Sequence, residues 1–269
     1  MTYPQSLHLI PISMLLMGVM SGVSVAQANS LASTATDDNS TFSVPAIHGK
    51  NEDPADGFTG RGSPNRRVSG GSRGSCSELL VALVPGDEAL AVSEAGCSLP
   101  SSSEPALTTV AMPVLWFHVP VQTDPVKGEL ALLDNNQLAL SIQEITLPQA
   151  GGIIGVQVET ELDVGLTYNW VFSLLANPRK PADNPRVAGT LQRINPAPEV
   201  VTEINATESP QKQAEIWFNQ GVWHNALTTV ATLRQSAAGQ VGVENEWQKF
   251  LGSAGLEAVA NAPIQDCCR

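Results

Sequence analysis

The sequence predicts a mainly β protein with an α-helical C-terminus, namely an antiparallel immunoglobulin-like sandwich followed by a helical hairpin. Two observations predict this fold: short apolar runs separated by turn residues over 79–194, and helical spacing of apolar residues after Pro196. A third, an apolar N-terminal stretch ending in small residues, predicts a signal peptide. The predicted organisation is a signal peptide (1–28), a disordered stalk rich in Gly, Ser and Arg (29–75), the β-sandwich (76–198), and the helical hairpin with a C-terminal tail (199–269).

The β part rests on seven short apolar runs with no helical pattern between them, which is typical of an antiparallel sandwich. Asp134-Asn135-Asn136 is a turn signal between two of the runs and predicts a hairpin. The first run could instead begin as a short helix from Ser77, which Pro85 would end. The predicted strands cover 79–84, 114–119, 130–133, 138–145, 152–160, 167–175 and 187–194.

The helical part begins with the pair Ser209-Pro210, which combines a favoured N-cap with a favoured first-turn proline. Gly221 separates the first helix from the second. One helix-turn-helix unit cannot bury both of its faces alone, so it must dock on the sandwich or on a partner. Helices are predicted over 211–219, from 223 to about 239, over 243–251 and, as a single turn, over 256–260.

The N-terminus predicts export. Residues 9–25 are apolar and uncharged, and Ala26-Gln27-Ala28 supplies the small residues of a signal peptidase site, so cleavage is expected after Ala28. The stretch lacks a preceding Lys or Arg, which leaves an uncleaved N-terminal anchor as the alternative. The expected location is therefore periplasmic or extracellular.

The charge of the exported chain is unevenly distributed. The net charge is −12, and residues 29–75 contain five acidic and five basic side chains, so the whole negative charge follows Ser75. An acidic folded part argues against nucleic acid as a partner. Four arginines in the stalk allow peripheral contact with a membrane or an anionic polymer, or folding back onto the acidic part. They are Arg61, Arg66, Arg67 and Arg73.

Four cysteines after an export signal predict disulfides rather than a metal site. A bond between Cys76 and Cys97 closes a loop of about 20 residues, stabilises by about 3 kcal/mol in the chain-entropy model, and is the predicted pair. Cys267 and Cys268 could then pair with each other, stay free or link two chains. The competing arrangement connects these two C-terminal cysteines to Cys76 and Cys97.

Several short segments, spread over most of the chain, resemble domain-of-unknown-function family 928, which is mostly cyanobacterial. The resemblance covers roughly residues 61–263 and implies an exported protein of a photosynthetic bacterium, with no assigned activity. The matching segments are Arg61-Gly62-x-Pro64, Arg73-Gly74-x-Cys76, Leu80-Val81-Ala82-Leu83-Val84-Pro85, Pro113-x-x-Trp116-Phe117-x-Val119-Pro120, Tyr168-x-Trp170-x-Phe172-Ser173, Val187-x-Gly189-x-x-Gln192-Arg193 and Gly221-x-Trp223-x-x-Ala226-Leu227.

The sequence departs from the family pattern at three places. His118 and His224 stand where the family has Tyr, and Ala176-Asn177-Pro178 stands where Cys-Asp-Pro is common. If the family's cysteine there pairs with the one at Cys76, the resemblance implies that Cys97 has taken over its role.

Two short motifs of nucleophilic enzymes occur but lack their context. Residues 70–74 match G-x-S-x-G, yet they lie in the linker with no preceding strand. Residues 209–212 match S-x-x-K, yet helix capping explains Ser209. Neither motif predicts catalysis, and the sequence predicts no catalytic residue, metal or cofactor.

The remaining candidates are interpreted as structural. The five tryptophans lie at apolar positions of their elements, which favours core over a sugar-binding platform. His118 and His224 lack a neighbouring ligand residue, so a structural role is expected. Glu159, Glu161 and Asp163 could hold calcium, but an acidic loop is the default. The tryptophans are Trp116, Trp170, Trp217, Trp223 and Trp247.

The leading functional hypothesis is an exported, non-catalytic interaction or scaffold protein with a protein partner at the envelope. An apolar patch on the helical hairpin over 227–234 would favour it. The alternative is a binding module for cell-wall or extracellular polysaccharide, which an exposed row of tryptophans would favour. A third hypothesis, an enzyme without a recognised motif, would need a pocket holding His118 or His224 beside a carboxylate.

Overall fold

The structure, a computed structural model, describes residues 63–66, 79–86, 91–93, 96–98 and 104–268, with side chains at 79–86 and 104–268. The described residues belong to one compact unit, Ser40–Arg269. Ala28, Arg61, Arg67, Arg73 and Cys76 lie outside the described residues. Among the described helices, none has the length and apolar character needed to cross a bilayer.

Eleven strands and four α-helices are described. The strands are β1 (Ser63–Arg66), β2 (Val81–Ala82), β3 (Ala91–Ser93), β4 (Gly96–Ser98), β5 (Ala106–Thr108), β6 (Val114–Val119), β7 (Lys127–Leu133), β8 (Ala139–Thr146), β9 (Gly152–Gln157), β10 (Thr167–Leu174) and β11 (Arg186–Arg193). The helices are α1 (Pro198–Ala206), α2 (Pro210–Asn219), α3 (Trp223–Ser236) and α4 (Val241–Gly252), with 3-10 turns at Pro181–Asp183 and Glu257–Val259.

The strands form a large sheet, a small sheet and a separate hairpin. The large sheet has the order β1-β11-β10-β7-β8, and β5 pairs with β11 beside β1. Every pair in it is antiparallel except β5 with β11, which is parallel. The small sheet has the order β2-β6-β9, and β3 pairs with β4. The two main sheets form the predicted sandwich, with one parallel pair added to it.

The small sheet lies between the large sheet and the helices. Neighbouring residues of a strand point to opposite faces, and β6 shows what each face contacts. The Phe117 ring stacks on Phe172 of the large sheet with ring centroids 4.2 Å apart. The Trp116 indole N–H donates to the Thr228 hydroxyl of α3 over 3.1 Å. The molecule is therefore a three-layer sheet, sheet and helix arrangement.

The helical hairpin docks on the small sheet, which is one of the two alternatives that its amphipathic pattern allowed. The Trp223 indole N–H donates to the Leu83 carbonyl over 2.9 Å, and the Trp223 ring stacks on Phe250 of α4 with centroids 4.9 Å apart. Buried residues of both sheets and of α2, α3 and α4 belong to one hydrophobic cluster. The helices therefore complete the core of the β part.

The C-terminal tail runs along the outer edge of β9. The Ile153 N–H donates to the Pro263 carbonyl, and the Gln265 N–H donates to the Ile153 carbonyl, both over 2.8 Å. Gly152 has a φ of +114°, and a Cβ there would lie 2.6 Å from the Pro263 carbonyl oxygen, so only glycine fits this approach. The tail thus supplies the backbone partners that β9 would otherwise lack on this side.

Most predicted elements are found, and the differences have local causes. The helical alternative for the first run is wrong in its described part, since Val81 and Ala82 pair with β6. β1 lies inside the segment predicted to be disordered and pairs with β11, whose edge offers unpaired backbone groups. Three elements were not predicted, namely β5, the β3–β4 hairpin and α1. β5 pairs with a strand distant in sequence, and α1 buries only Val200, so β5 and α1 both lack a strong local pattern.

Candidate functional site

One cavity lies between α2, α3 and the segment that joins β5 to β6. Its volume is about 280 Å³, near the lower end of the range of small-molecule sites, roughly 300–1,000 Å³. Trp217 of α2 lines one side of it, and His224 and Thr228, one turn apart on α3, line another. Val110 and Met112 also line it and are 47% and 37% exposed, so the cavity has an apolar rim open to solvent.

His224 is the unusual residue of this cavity. Its side chain is buried, and neither ring nitrogen has a hydrogen-bond partner among the described residues. Burial lowers the pKa of His224 from its ordinary value of 6.5 to about 4. The positive end of the α3 dipole, where His224 lies, also disfavours a cation. The imidazole is therefore neutral at physiological pH, with one donor and one acceptor unsatisfied.

The polar neighbours of His224 have fixed roles. The Asn225 amide oxygen accepts from the Thr109 N–H over 3.0 Å, and its amide nitrogen donates to the Thr109 hydroxyl over 2.6 Å. The Thr229 hydroxyl donates to the Asn225 carbonyl over 2.8 Å. Thr228 accepts from Trp116, which leaves its own hydroxyl hydrogen to donate. Thr228 therefore has a hydrogen-bond donor left on the cavity side of α3, whereas both His224 nitrogens are enclosed by protein.

His118 is buried in a different environment. Its Nδ1 lies 2.9 Å from the Leu79 carbonyl oxygen, and Nδ1 donates to that oxygen in the neutral tautomer that the contact requires. Burial lowers the pKa of His118, and the bond to Leu79 opposes that shift. His118 connects β6 to the β2 segment, which fits the structural role expected for it.

A second feature is an exposed apolar edge at β8. Leu138, Leu140 and Ile142 are 65%, 47% and 61% exposed, and we refer to these three residues as the β8 apolar edge. β8 is the last strand of the large sheet, so its outer side has no paired strand among the described residues. Large exposed apolar residues on an unpaired strand are typical of an interaction surface, because such a strand otherwise promotes aggregation.

The apolar character continues from this edge across the outer face of the large sheet. In register, Ile142 lies beside Ala131 of β7, Ala131 beside Val171 of β10, and Val171 beside Ala188 of β11. Ala131, Val171 and Ala188 are all partly exposed. At one end of β8, Glu144 pairs with Lys127 over 2.6 Å, so its carboxylate already has a partner.

The five tryptophans are mostly core, as their spacing predicted. Trp116 and Trp170 are 1% exposed, Trp223 and Trp247 are 0% exposed, and Trp217 is partly buried beside the cavity. They form no exposed row on a sheet face. The hairpin residues that would favour an interaction patch, Leu227 to Arg234, face inward instead: Leu227, Val230 and Ala231 are buried.

The other predicted candidates lie apart from the cavity. Ser209 caps α2 by accepting from the Lys212 N–H over 3.4 Å, while the Lys212 ammonium pairs with Glu215 over 3.2 Å. Glu159, Glu161 and Asp163 are exposed, and the described part of the chain has no group of three His, Cys, Asp or Glu placed to hold a metal ion. The segment 70–74 lies outside the described residues.

The cysteines are described only in part. Cys267 and Cys268 form a disulfide with each other, which rules out the arrangement that would connect them to Cys76 and Cys97. Cys97 lies in β4, but its side chain and Cys76 are outside the described part, so the Cys76–Cys97 bond stays a prediction. Membrane contact through Arg61, Arg66, Arg67 and Arg73 also stays a prediction, since only the backbone of Arg66 is described.

Sequence reasoning did not identify the cavity beside His224 or the β8 apolar edge as a site. The strand pattern at 138–145 places Ile142 and Ile145 on opposite faces, but only the register shows that Ile145 faces the core and Ile142 faces solvent. Likewise, His224 and Thr228 share a helix face by their spacing. The segment after β5 that completes the cavity is distant in sequence. The signal that could have been used was the spacing of His224 and Thr228 on one face of α3.

Comparison with known proteins identifies the family and nothing narrower. No curated protein and no solved structure matches this chain. The sequence model of one family, Domain of Unknown Function (DUF928), matches residues 68–264. This range includes all four α-helices and every described strand except β1. The chain therefore belongs to the DUF928 family.

Proposed function

We propose that this protein is an exported, non-catalytic interaction protein that binds a protein partner in the periplasm or outside the cell through the β8 apolar edge. The N-terminal stretch with Ala26-Gln27-Ala28 supports export. The single observation that carries the interaction is the exposure of Leu140 and Ile142 on a terminal strand and of Leu138 directly before it.

The occupant that fits this edge is an extended protein segment that adds a strand to β8. Backbone groups on the open side of an edge strand supply hydrogen bonds, and alternate side chains supply specificity. The one charged residue of β8, Glu144, is paired with Lys127, so the edge offers apolar contacts and no free charge. The partner segment should therefore be apolar and uncharged where it meets Leu140 and Ile142.

The alternative hypotheses have weaker support. A polysaccharide module would need exposed aromatic rings, whereas four of the five tryptophans are fully buried. An enzyme would be favoured by a histidine beside a carboxylate, whereas the cavity around His224 is lined by neither Asp nor Glu, and His118 contacts a backbone carbonyl. The first observation disfavours a polysaccharide module, and the second disfavours an enzyme built on either histidine.

Site-specific photo-crosslinking in the producing cell tests this proposal. A photoreactive phenylalanine analogue replaces Ile142, and the matched control carries it at Leu166, which is 51% exposed outside the β8 edge. We expect the Ile142 position to capture one defined protein that the control does not capture. The captured protein, once purified, should bind the wild-type chain and bind the Ile142→Lys variant at least about tenfold more weakly.

Two results would contradict the proposal. Equal capture at Ile142 and Leu166 would show that the β8 edge is not a specific surface. Crosslinks only between copies of this chain, together with a dimer in sedimentation that Ile142→Lys dissociates, would assign the edge to self-association rather than to a different protein.

A further inference from the structure

We propose that the disulfide between Cys267 and Cys268 is a reversible redox site, and that its reduction by a dithiol releases the end of the C-terminal tail from β9. This modification site controls how far the tail covers the small sheet. It does not involve the β8 apolar edge, so neither proposal rests on the other.

The disulfide lies between the ends of β8 and β9. The Cys268 sulfur is 3.8 Å from the Thr146 carbonyl oxygen of β8, and the Cys268 carbonyl accepts from the Gln157 N–H of β9 over 3.4 Å. Both cysteines also pack against the hydrophobic cluster that the two sheets share. Cys268 therefore connects the large sheet to the small sheet near the end of the chain.

A dissolved reductant can reach this bond. Cys267 and Cys268 are both partly exposed, and Cys268 borders an open cleft of about 550 Å³. Thr146 and Gln157, the two residues that Cys268 contacts, line the same cleft. Exposed disulfides are the ones that typically exchange with thiols, whereas enclosed structural disulfides resist reduction.

The bond adds little stability that reduction would have to overcome. In the chain-entropy model a disulfide stabilises by restricting the unfolded chain, and the effect grows with the length of the closed loop. Cys267 and Cys268 are neighbours with no residue between them, so this effect is at its minimum. The bond is therefore better suited to being opened and closed than to holding the fold together.

The backbone of Cys268 shows what opening the bond changes. Its φ is +73°, a left-handed conformation that residues other than glycine rarely adopt. The ring closed by the disulfide includes the N–Cα bond of Cys268, so the ring restricts this angle. When the ring opens, φ can return to negative values, and this rotation carries the Cys268 carbonyl away from the Gln157 N–H.

The two parts of the tail are held on β9 with different strength. Pro263 and Gln265 are each bonded to Ile153 over 2.8 Å. The bond between Cys268 and Gln157 is 3.4 Å long, beyond the usual range of about 2.7–3.2 Å for N–H···O bonds. We therefore expect reduction to detach residues 266–268 while residues 263–265 stay on β9.

The reaction is thiol–disulfide exchange. One thiolate of the dithiol bonds to the Cys268 sulfur, because Cys268 borders the cleft, and the electron pair of the broken bond leaves with the Cys267 sulfur, which takes up a proton. The second thiolate then attacks the reductant sulfur bound to Cys268, which leaves with its electron pair and is protonated in turn. Two electrons and two protons pass to the protein, the dithiol becomes a disulfide, and a small disulfide oxidant reverses the reaction.

Amide hydrogen exchange of the full exported chain, measured by NMR before and after dithiothreitol, tests this proposal. We expect dithiothreitol to reduce the Cys267–Cys268 bond without denaturant, as mass mapping of alkylated cysteines would show. The Gln157 amide should then exchange at least about tenfold faster, while the Ile153 amide, bonded to Pro263, changes by less than about twofold. Oxidised glutathione should restore both the bond and the slow exchange.

Two double variants separate this bond from the other cysteines. Cys76→Ser with Cys97→Ser leaves only the C-terminal pair and should respond to dithiothreitol as wild type does. Cys267→Ser with Cys268→Ser is the matched control, and its Gln157 amide should exchange as fast as in reduced wild type, with no further response. If the first variant does not fold, the mass map of wild type still identifies which cysteines were reduced.

Three results would overturn the proposal. The first is a Cys267–Cys268 bond that dithiothreitol reduces only after the chain is denatured. The second is exchange at Gln157 that stays the same when this bond is reduced. The third is equal acceleration at Gln157 and Ile153, which would mean that the whole edge opens rather than the end of the tail.

Discussion

The two main sheets of this protein differ in how completely the chain covers them. β6 and β9 of the small sheet are buried on both faces, and the C-terminal tail occupies the outer edge of β9. In the large sheet, β7 and β10 alternate between buried and partly exposed residues. β8 is the last strand of this sheet, and no described strand pairs with its outer side. The difference separates the part of the chain that provides stability from the part that is available to another molecule.

The largest effect should come from the layer that is covered on both sides. Phe117 is 1% exposed and contacts both Phe172 and Trp170. We expect Phe117→Ala to lower the free energy of unfolding by about 3–5 kcal/mol, because it removes two ring contacts and leaves a cavity. Chemical denaturation of the exported chain measures this loss. The control Leu138→Ala, on the β8 apolar edge, should change the free energy of unfolding by about 0.5 kcal/mol or less. Similar losses in both variants would contradict the difference between the covered and the open sheet.

An intermediate effect should come from acid, through His224 in the helical layer. Its pKa is about 4 in the folded protein against an ordinary 6.5, so the unfolded chain binds more protons between these values. The contribution of His224 to the free energy of unfolding should therefore be constant above about pH 6.5 and fall as the pH approaches 4, by up to about 3 kcal/mol.

Comparison of wild type with His224→Phe isolates this contribution from the carboxylates and from His118, whose pKa burial also lowers. Thermal unfolding from pH 7 to pH 4 measures both proteins. The stability of wild type minus that of the variant should fall as the pH falls from 7 to 4, whichever protein is more stable at pH 7, and parallel curves would show that His224 does not titrate in this range.

The smallest effect should come from the open sheet. The double substitution Leu140→Thr with Ile142→Thr replaces two exposed apolar residues by a residue with good strand propensity. We expect the free energy of unfolding to change by about 0.5 kcal/mol or less, while solubility rises because the exposed edge becomes polar. Denaturation and light scattering measure these properties. A loss above about 2 kcal/mol would mean that another part of the chain covers this edge.

Local sequence patterns determined much of the architecture. Val114 to Val119 between two prolines predicted β6 with the correct bounds, and Asp134 to Asn136 predicted the β7–β8 turn, where the Asp134 carboxylate accepts from the N–H groups of Asn136 and Leu138. Ser209 and Pro210 predicted the start of α2. Alternation, turns and caps act over a few residues, so a single sequence contains all the information they need.

Tertiary structure alone decided which face each pattern presents and what lies opposite. The pattern of β8 fits either orientation, and its pairing with β7 turns Ile142 to solvent and Ile145 to the core. The helical pattern left two partners open for the hairpin, and the bonds of Trp116 and Trp223 place it on the small sheet. The cavity beside His224 forms only where α3 meets the segment after β5, more than one hundred residues away. Such contacts depend on the three-dimensional packing of distant segments, which no local periodicity encodes.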